Sequence, residues 1–436
     1  MNIRKIALKL LSEHEEKGTF ANLALQNHLT DALSVEEKAS LTALFYTTVE
    51  RKLTLDYMIG ALSKRGLDSV DAHTKNLLRI GLCQVIYMTG IPSFAAVNET
   101  VKLARHDGER RFVNFVLREA VRRLDDLPYP DRKKNVARYL SVFYCCPLWI
   151  VKELLSLFGE EGAERYLASI NEEPPLTLTV NTTKISLDAY RALLDAQGIA
   201  STPCALSEVS LRIEGKHRPQ SLVGFDDGFF FVQDEASALV AKILAPRVTD
   251  TVIDVCACPG GKSFATAIRM GDAGRVYSFD LHESKLPLIE KGAERLGLTS
   301  VFPEYTDATA GKESLFGTAD GVICDVPCSG LGVLAKKPDL RYKSEESIKE
   351  LPALALSILE RSASYLKVGG VMIFSTCTIL PEENERTLER FLDAHPEFSL
   401  VPFTVGERTA ENGILRLYPH TDGTDGFFIS KLQKNT

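Results

Sequence analysis

The chain has 436 residues, 45% of them hydrophobic and 25% charged, and a formal net charge of −7. That length exceeds what one hydrophobic core usually holds, so two or three domains are expected. The composition has no biased tract that would mark a fibrous or disordered chain, and no run approaches the roughly 18 consecutive apolar residues of a membrane span.

The start, Met1-Asn2-Ile3-Arg4-Lys5-Ile6-Ala7-Leu8-Lys9, interrupts its apolar residues with charge. It is not the pattern of a secretory signal, and a cytoplasmic protein without membrane attachment is expected. Nine cysteines, an odd number at irregular spacing, argue against a disulfide framework and leave thiols for chemistry. The net charge hides an asymmetry. Residues 1–140 carry 22 Lys+Arg and 17 Asp+Glu, a net of +5, and the remainder carries 29 and 41, a net of −12. A basic amino-terminal part is the footprint of a polyanion partner.

Residues 1–125 read as helix throughout, with apolar residues at helical spacing and few Gly or Pro. The clearest helix is 110–124. It places Phe112, Val113, Val116, Leu117, Ala120, Val121 and Leu124 on one face. Arg111, Arg118 and Arg122 fall on the other face within about 40° of each other, a stripe without acidic partners that suits RNA phosphates. Asp125-Asp126-Leu127-Pro128-Tyr129-Pro130-Asp131 reads as a linker. After Glu173-Pro174-Pro175, a strand (176–181), a helix (187–197) and a strand (208–213) make a small α+β piece ending near Gly224. From about 250, short apolar runs at 252–255, 276–279, 301–305, 321–324 and 371–374 alternate with helical segments. That alternation predicts an α/β fold, a doubly wound parallel sheet covered on both faces. Residues 414–418 and 426–431 predict a terminal antiparallel hairpin. The expected domains are therefore 1–130, all helix, 131–224, linker and α+β piece, and 225–436, the sheet domain.

The first strand of that sheet runs into Cys256-Ala257-Cys258-Pro259-Gly260-Gly261-Lys262-Ser263. Strand, glycine turn and helix start make a nucleotide-type site. A nucleoside triphosphate would need glycine at position 256, which is Cys256, and the G-x-G-x-x-G spacing of a dinucleotide site is absent. S-adenosylmethionine needs no phosphate cradle. Asp280, ending the second strand, is placed to accept its ribose hydroxyls, and Asp307, after the third, to face its adenine.

The fourth strand ends in Asp325-Val326-Pro327-Cys328-Ser329-Gly330 and the fifth in Ser375-Thr376-Cys377-Thr378. Ligands of an open parallel sheet lie beyond its carboxyl ends, so both thiols are expected in the cofactor cleft. A thiolate added to carbon 6 of a pyrimidine makes carbon 5 nucleophilic, and a thiolate can leave again. Asp325 is expected to hold the cytosine N3 edge, joining both the catalytic and the cofactor-binding set. The C-x-C and C-x-x-x-C spacings suit structural zinc poorly, and no metal is expected.

With these residues in place, the chain resembles the RNA cytosine-5-methyltransferase (NOL/NOP/Sun) family. Cys256–Lys262 is similar to its C-A-A-P-G-G-K signature, with Cys258 for the second alanine. Asp325-Val326-Pro327-Cys328-Ser329-Gly330 matches D-x-P-C-S-G. Ser375-Thr376-Cys377-Thr378 matches S-T-C-S, with Thr378 for serine, and Pro381-Glu382-Glu383-Asn384-Glu385 follows it. Val232-Gln233-Asp234-Glu235-Ala236-Ser237 and Asp425-Gly426-Phe427-Phe428 also fit. The amino-terminal part resembles the helical RNA-binding protein NusB through Leu77-Leu78-Arg79-Ile80-Gly81, Ile91–Glu99 and Phe112-Val113-Asn114-Phe115-Val116-Leu117-Arg118.

The resemblance implies a class I methyltransferase fold with a NusB-like domain. It implies S-adenosylmethionine as cofactor held by Cys256, Ala257, Cys258, Pro259, Gly260, Gly261, Lys262, Asp280, Asp307 and Asp325. It further implies Cys377 as nucleophile, Cys328 as the residue assisting release, and 16S rRNA or a small-subunit assembly intermediate as partner. Position alone leaves the two thiol roles open, because DNA cytosine methyltransferases use the Pro-Cys cysteine. Transfer RNA as substrate, and an RNA-binding factor with a vestigial methyltransferase domain, are the alternative readings.

Overall fold

Polar caps start the amino-terminal helices where the apolar pattern begins. In the computed structural model, which describes residues 2–17, 25, 28–30, 32–63 and 66–436, Ser34 and Glu37 form a reciprocal capping box. Asp71, His106 and Asn135 each accept a bond from a first-turn amide. The helices are α1 (Ile3–Lys17), α2 (Val35–Glu50), α3 (Lys52–Ser63), α4 (Ala72–Tyr87), α5 (Ser93–Val101), α6 (Asp107–Arg122), α7 (Val136–Phe143) and α8 (Leu148–Ser169). Leu10, Leu41, Phe45, Met58, Leu77, Leu82, Val116 and Leu117 bury a common core. α6 packs closely on α4, since a Cβ on Gly81 would lie 2.7 Å from Leu117. The expected helix 110–124 thus starts earlier, at the His106 cap, and ends before Leu124, which is exposed.

The chain forms two compact units, Met1–Asn171 with Lys337–Tyr342, and Glu172–Lys336 with Lys343–Thr436. The division falls at Asn171 rather than at 130, because α7 and α8 pack with the earlier helices. Thr54 Oγ1 donates to Val142 O at 2.5 Å, and Asn171 Nδ2 donates to Tyr144 O at 2.9 Å. The short segment Lys337–Tyr342 also belongs here. Arg341, only 2% exposed, donates to Ile170 O at 2.6 Å and Asn171 Oδ1 at 2.7 Å, and Tyr342 Oη donates to Val49 O at 2.9 Å.

The second unit holds two larger sheets. The smaller combines β1 (Leu176–Val180), β2 (Ser201–Pro203), β3 (Ser210–Ile213) and β4 (Phe230–Val232) in the antiparallel order β2-β3-β1-β4, with helix α9 (Leu187–Ala196). Tyr190 and Leu194 of α9 share a core with Leu178, Leu211 and Phe230.

The larger sheet begins after α10 (Glu235–Leu244). Its elements are β5 (Thr251–Asp254), α11 (Gly261–Arg269), β6 (Arg275–Asp280), α12 (Leu286–Leu296), β7 (Val301–Tyr305), β8 (Ala319–Asp325), α13 (Leu351–Ala363), β9 (Leu366–Thr376) and α14 (Glu385–Ala394). Then follow β10 (Phe398–Leu400), the separate small pair β11 (Phe403–Val405) and β12 (Arg408–Ala410), β13 (Ile414–Leu417), α15 (Pro419–Asp422) and β14 (Phe427–Lys434). The order is β10-β14-β9-β8-β5-β6-β7, parallel from β9 to β7, with β13 antiparallel on β14 as the expected hairpin.

Alternation along β5 feeds both faces. Val252 joins one core and Ile253 and Val255 the other. Strand order reverses between β5 and β8, and in open parallel sheets such a switch point is where a ligand crevice lies, beyond the carboxyl ends. Among the described residues no single helix is long and apolar enough to cross a membrane; α7 and α8 reach that length only as a pair bent by 118°.

Candidate active site

Asp254, Asp280, Asp325 and Thr376 end β5, β6, β8 and β9, so four strands deliver functional residues to one edge. After β5 the chain turns through Cys256 to Gly260, with a cis Cys258–Pro259 bond. Ala257 N donates to Phe279 O at 2.8 Å, and Gly260 N to Ala257 O at 2.7 Å. Gly260 has φ 108°, and a Cβ there would meet the Phe264 ring at 2.4 Å. α11 starts at the next residue, with its first-turn amides directed at the crevice. Cys256 and Cys258 are half-buried walls of this turn, and burial pushes both thiols up. Gln233 adds a feature: its Oε1 accepts from Thr179, while its buried Nε2, beside Gly261, has no hydrogen-bond partner among the described residues.

Asp280 accepts from His282 N at 2.9 Å. Asp307 lies beyond the adjacent strand β7, and its Oδ1 accepts from the Thr309 amide and hydroxyl at 2.8 and 2.7 Å. Those bonds, the hydroxyl first, hold its carboxyl below the usual range. The local turn therefore accounts for one Asp307 oxygen.

The thiols of Cys328 and Cys377 come together, Sγ to Sγ, at 3.4 Å. The hydrogen bond to Cys377, followed by burial and the Cys377 charge, pushes the Cys328 thiol well up. The Cys377 backbone is fixed by Gly332, whose amide donates to Cys377 O at 2.9 Å. A Cβ on Gly332 would lie 1.9 Å from Gly426 O, so only glycine fits.

Lys262 is the site residue whose position most changes its reading. Its motif suggests the cofactor loop, yet Nζ lies 2.6 Å from Asp325 Oδ2 and 5.4 Å from the Phe427 ring. Burial pulls the ammonium down, but Asp325, with Asp254 and Cys377, outweighs it, and the net shift is upward. Ser375 Oγ donates to Asp325 Oδ1 at 2.8 Å, so both carboxylate oxygens are held.

Glu383 lies within the Pro381–Glu385 motif, and its sequence position alone gives it no role. In the structure it is 3% exposed and binds both thiol turns. Oε2 accepts from Ser329 N at 2.7 Å, and Oε1 accepts from Thr378 Oγ1 at 3.2 Å. The hydroxyls of Ser329 and Thr378 are themselves 2.6 Å apart. Burial pushes the Glu383 carboxyl up against these bonds.

The expected arginine stripe on α6 is altered. Arg122 pairs with Glu119 at 2.5 Å. Arg111 and Arg118 are exposed and form no ion pair among the described residues. The acidic partner was readable three residues away, at the spacing where helix side chains meet.

Comparison with known proteins follows this geometry. A family model described as 16S rRNA methyltransferase RsmB/F matches residues 241–433, the NusB family matches 1–122, and an RsmF/B-like ferredoxin-like domain matches 146–219. The chain is 35% identical to a probable ribosomal RNA small subunit methyltransferase B of Bacillus subtilis, over 99% of both chains. It is 30% identical to the ribosomal RNA small subunit methyltransferase B of Escherichia coli, again over 99% of both. Among solved structures, that of PH0851 covers 99% of this chain and 98% of its own, with TM-score 0.79 and 27% identity. A methyltransferase homologue from Pyrococcus horikoshii covers 69% of this chain and 99% of its own, with TM-score 0.61 and 26% identity.

Proposed function

This chain belongs to the 16S rRNA methyltransferase RsmB/F family, and from that footing we propose that it methylates carbon 5 of a cytosine in 16S rRNA through a covalent adduct with Cys377. The observation that carries the reading is the pair of thiols 3.4 Å apart beside the Lys262–Asp325 ion pair. A binding protein has no need of that arrangement.

The residues present fit S-adenosylmethionine, which when bound supplies an electrophilic methyl group. Gly260, Gly261 and the α11 amides would take its amino-acid end, and the unpartnered Gln233 Nε2 offers a further donor there. Asp280 would take the ribose hydroxyls, with Cys256, Ala257, Cys258 and Pro259 as walls and Asp307 on the adenine side.

The protein's own residues divide the chemistry. Cys377, ionised beside the Lys262 ammonium, adds its sulfur to carbon 6. The ring's double-bond electrons move towards N3, where the Lys262 ammonium, positioned by Asp325, offsets the developing negative charge. Carbon 5 is then the nucleophile that takes the methyl group. Once Cys377 is bonded to carbon 6 its charge no longer opposes ionisation of Cys328, which releases its proton to solvent; in the closing step the Cys328 thiolate takes the carbon 5 proton, the double bond re-forms and the Cys377 thiolate leaves.

Transfer of labelled methyl to unmodified 16S rRNA, with transfer RNA in parallel and bisulfite sequencing of the product, tests the reading. One protected cytosine in 16S rRNA is expected. Label on transfer RNA alone would discard the ribosomal substrate and keep the chemistry; label on 16S rRNA without a protected cytosine would discard the carbon-5 assignment.

A further inference from the structure

The basic amino-terminal stretch is largely neutralised by its own acids. Lys102 pairs with Glu99, Arg105 with Asp71 and Glu109, Arg110 with Asp107, Arg122 with Glu119, and Arg132 with Glu160 and Glu164. Arg111 and Arg118 are exceptions. Arg118 Nε donates to the neutral Asn114 Oδ1 at 2.9 Å, and Arg111 Nε to the Asp107 carbonyl at 3.4 Å. Between them on the same face stands Phe115, 52% exposed. At 3.6 residues per turn it lies about 40° around the helix from Arg111, and the two arginines are about 10.5 Å apart along the axis.

We propose that the α6 face formed by Arg111, Phe115 and Arg118 is a binding site for single-stranded RNA, with an unpaired base stacked on the Phe115 ring and the two guanidiniums on flanking phosphates. The proposal rests on the reading of the chain as an RNA-modifying enzyme. A half-exposed aromatic flanked by cations without counter-charge suits a polyanion that carries π-faces, and not an apolar protein surface. The platform is rigid, because Val113, Val116, Leu117 and Ala120 on the opposite face of α6 are fully buried. Guanidiniums held by neutral partners keep their full charge for phosphate.

The test is the affinity of the full-length protein for an unstructured RNA of about a dozen nucleotides, measured across a salt series. Phe115→Ala is expected to weaken binding about tenfold with the salt slope unchanged. Phe115→Leu keeps the apolar area without the stacking face and is expected to behave like Phe115→Ala, while Phe115→Tyr restores affinity. Arg111→Gln with Arg118→Gln is expected to make the slope shallower by about 1.4, as for two lost single-strand phosphate contacts. Wild-type affinity for Phe115→Ala, or for Phe115→Leu alone, overturns stacking; the latter indicates apolar contact with the RNA that needs no π-face. An unchanged slope in the arginine variant overturns the phosphate contacts. Because the assay reads binding alone, a chain that binds through this face and transfers no methyl would refute the proposed reaction and leave the site standing.

Discussion

Cys328 Sγ lies 3.4 Å from Cys377 Sγ, close enough for both thiols to meet one substrate base. The bond to Cys377 and burial push the Cys328 thiol up, and in the proposed reaction Cys377 is the sulfur that attacks. Cys377→Ala is therefore expected to abolish methyl transfer and leave cofactor binding intact. Cys328→Ala is expected to form the adduct and fail to resolve it, giving a slow protein–RNA band on denaturing gels. A band with Cys377→Ala and none with Cys328→Ala would exchange the two assignments.

Glu383 couples the turns that carry those thiols, through Ser329 N on one side and Thr378 Oγ1 on the other. Glu383→Ala leaves a buried amide without its acceptor, at a cost of about 1–3 kcal/mol, and lets the two sulfurs drift apart. The expected result is a large loss of kcat with little change in KM for the cofactor, and adduct accumulation as for Cys328→Ala. Glu383→Gln retains an oxygen for Ser329 N and is expected to recover most of the activity. If the glutamine variant is as inactive as the alanine one, the charge matters and simple positioning is wrong.

The parts of this arrangement differ in how legible they were. Strands β5 to β9 are apolar runs because a parallel sheet is buried on both faces, and their ends located Asp280, Asp325, Cys328 and Cys377 directly. The strands β2, β4, β10, β11 and β12 have three residues each, too few to show a period. Arg341 reads as surface by its charge, yet it is buried against the Ile170 carbonyl and the Asn171 side chain, the latter 170 residues distant. The Glu383–Ser329 bond spans 54 residues and is likewise a product of tertiary packing. The Lys262–Asp325 ion pair is illegible for another reason: a motif locates the residue, and only the fold decides where its ammonium points.

That position makes Lys262 separable from the rest of its loop. Lys262→Met removes the partner of Asp325 and the cation near Cys377. Cofactor affinity by calorimetry is expected to stay within a fewfold of wild type while single-turnover methyl transfer falls by at least about a hundredfold, as for loss of one electrostatic stabiliser. Arginine, planar and forked, is expected not to restore it. Lost cofactor affinity with normal adduct formation would return Lys262 to the cofactor set.

Asp254 supplies a pH test that needs no substrate. Its side chain is fully buried, Oδ2 accepts from Ser263 Oγ at 2.8 Å, and Oδ1 has no hydrogen-bond partner among the described residues. Burial pushes the carboxyl up to about 7, against the Ser263 bond and the Lys262 charge. An unfolded aspartate titrates near 3.9. Between those values the folded protein holds a proton that the unfolded chain has released, so this group makes stability fall as pH rises; above about 7 the penalty is complete. Asp254→Asn stays neutral and still accepts from Ser263. Its stability relative to wild type is expected to rise by roughly 2 kcal/mol between pH 5.5 and 8.5, read from denaturant midpoints at the two pH values. A difference that stays constant, or that favours wild type at the higher pH, would mean that Asp254 is already ionised in the fold and that a group in the crevice compensates its charge.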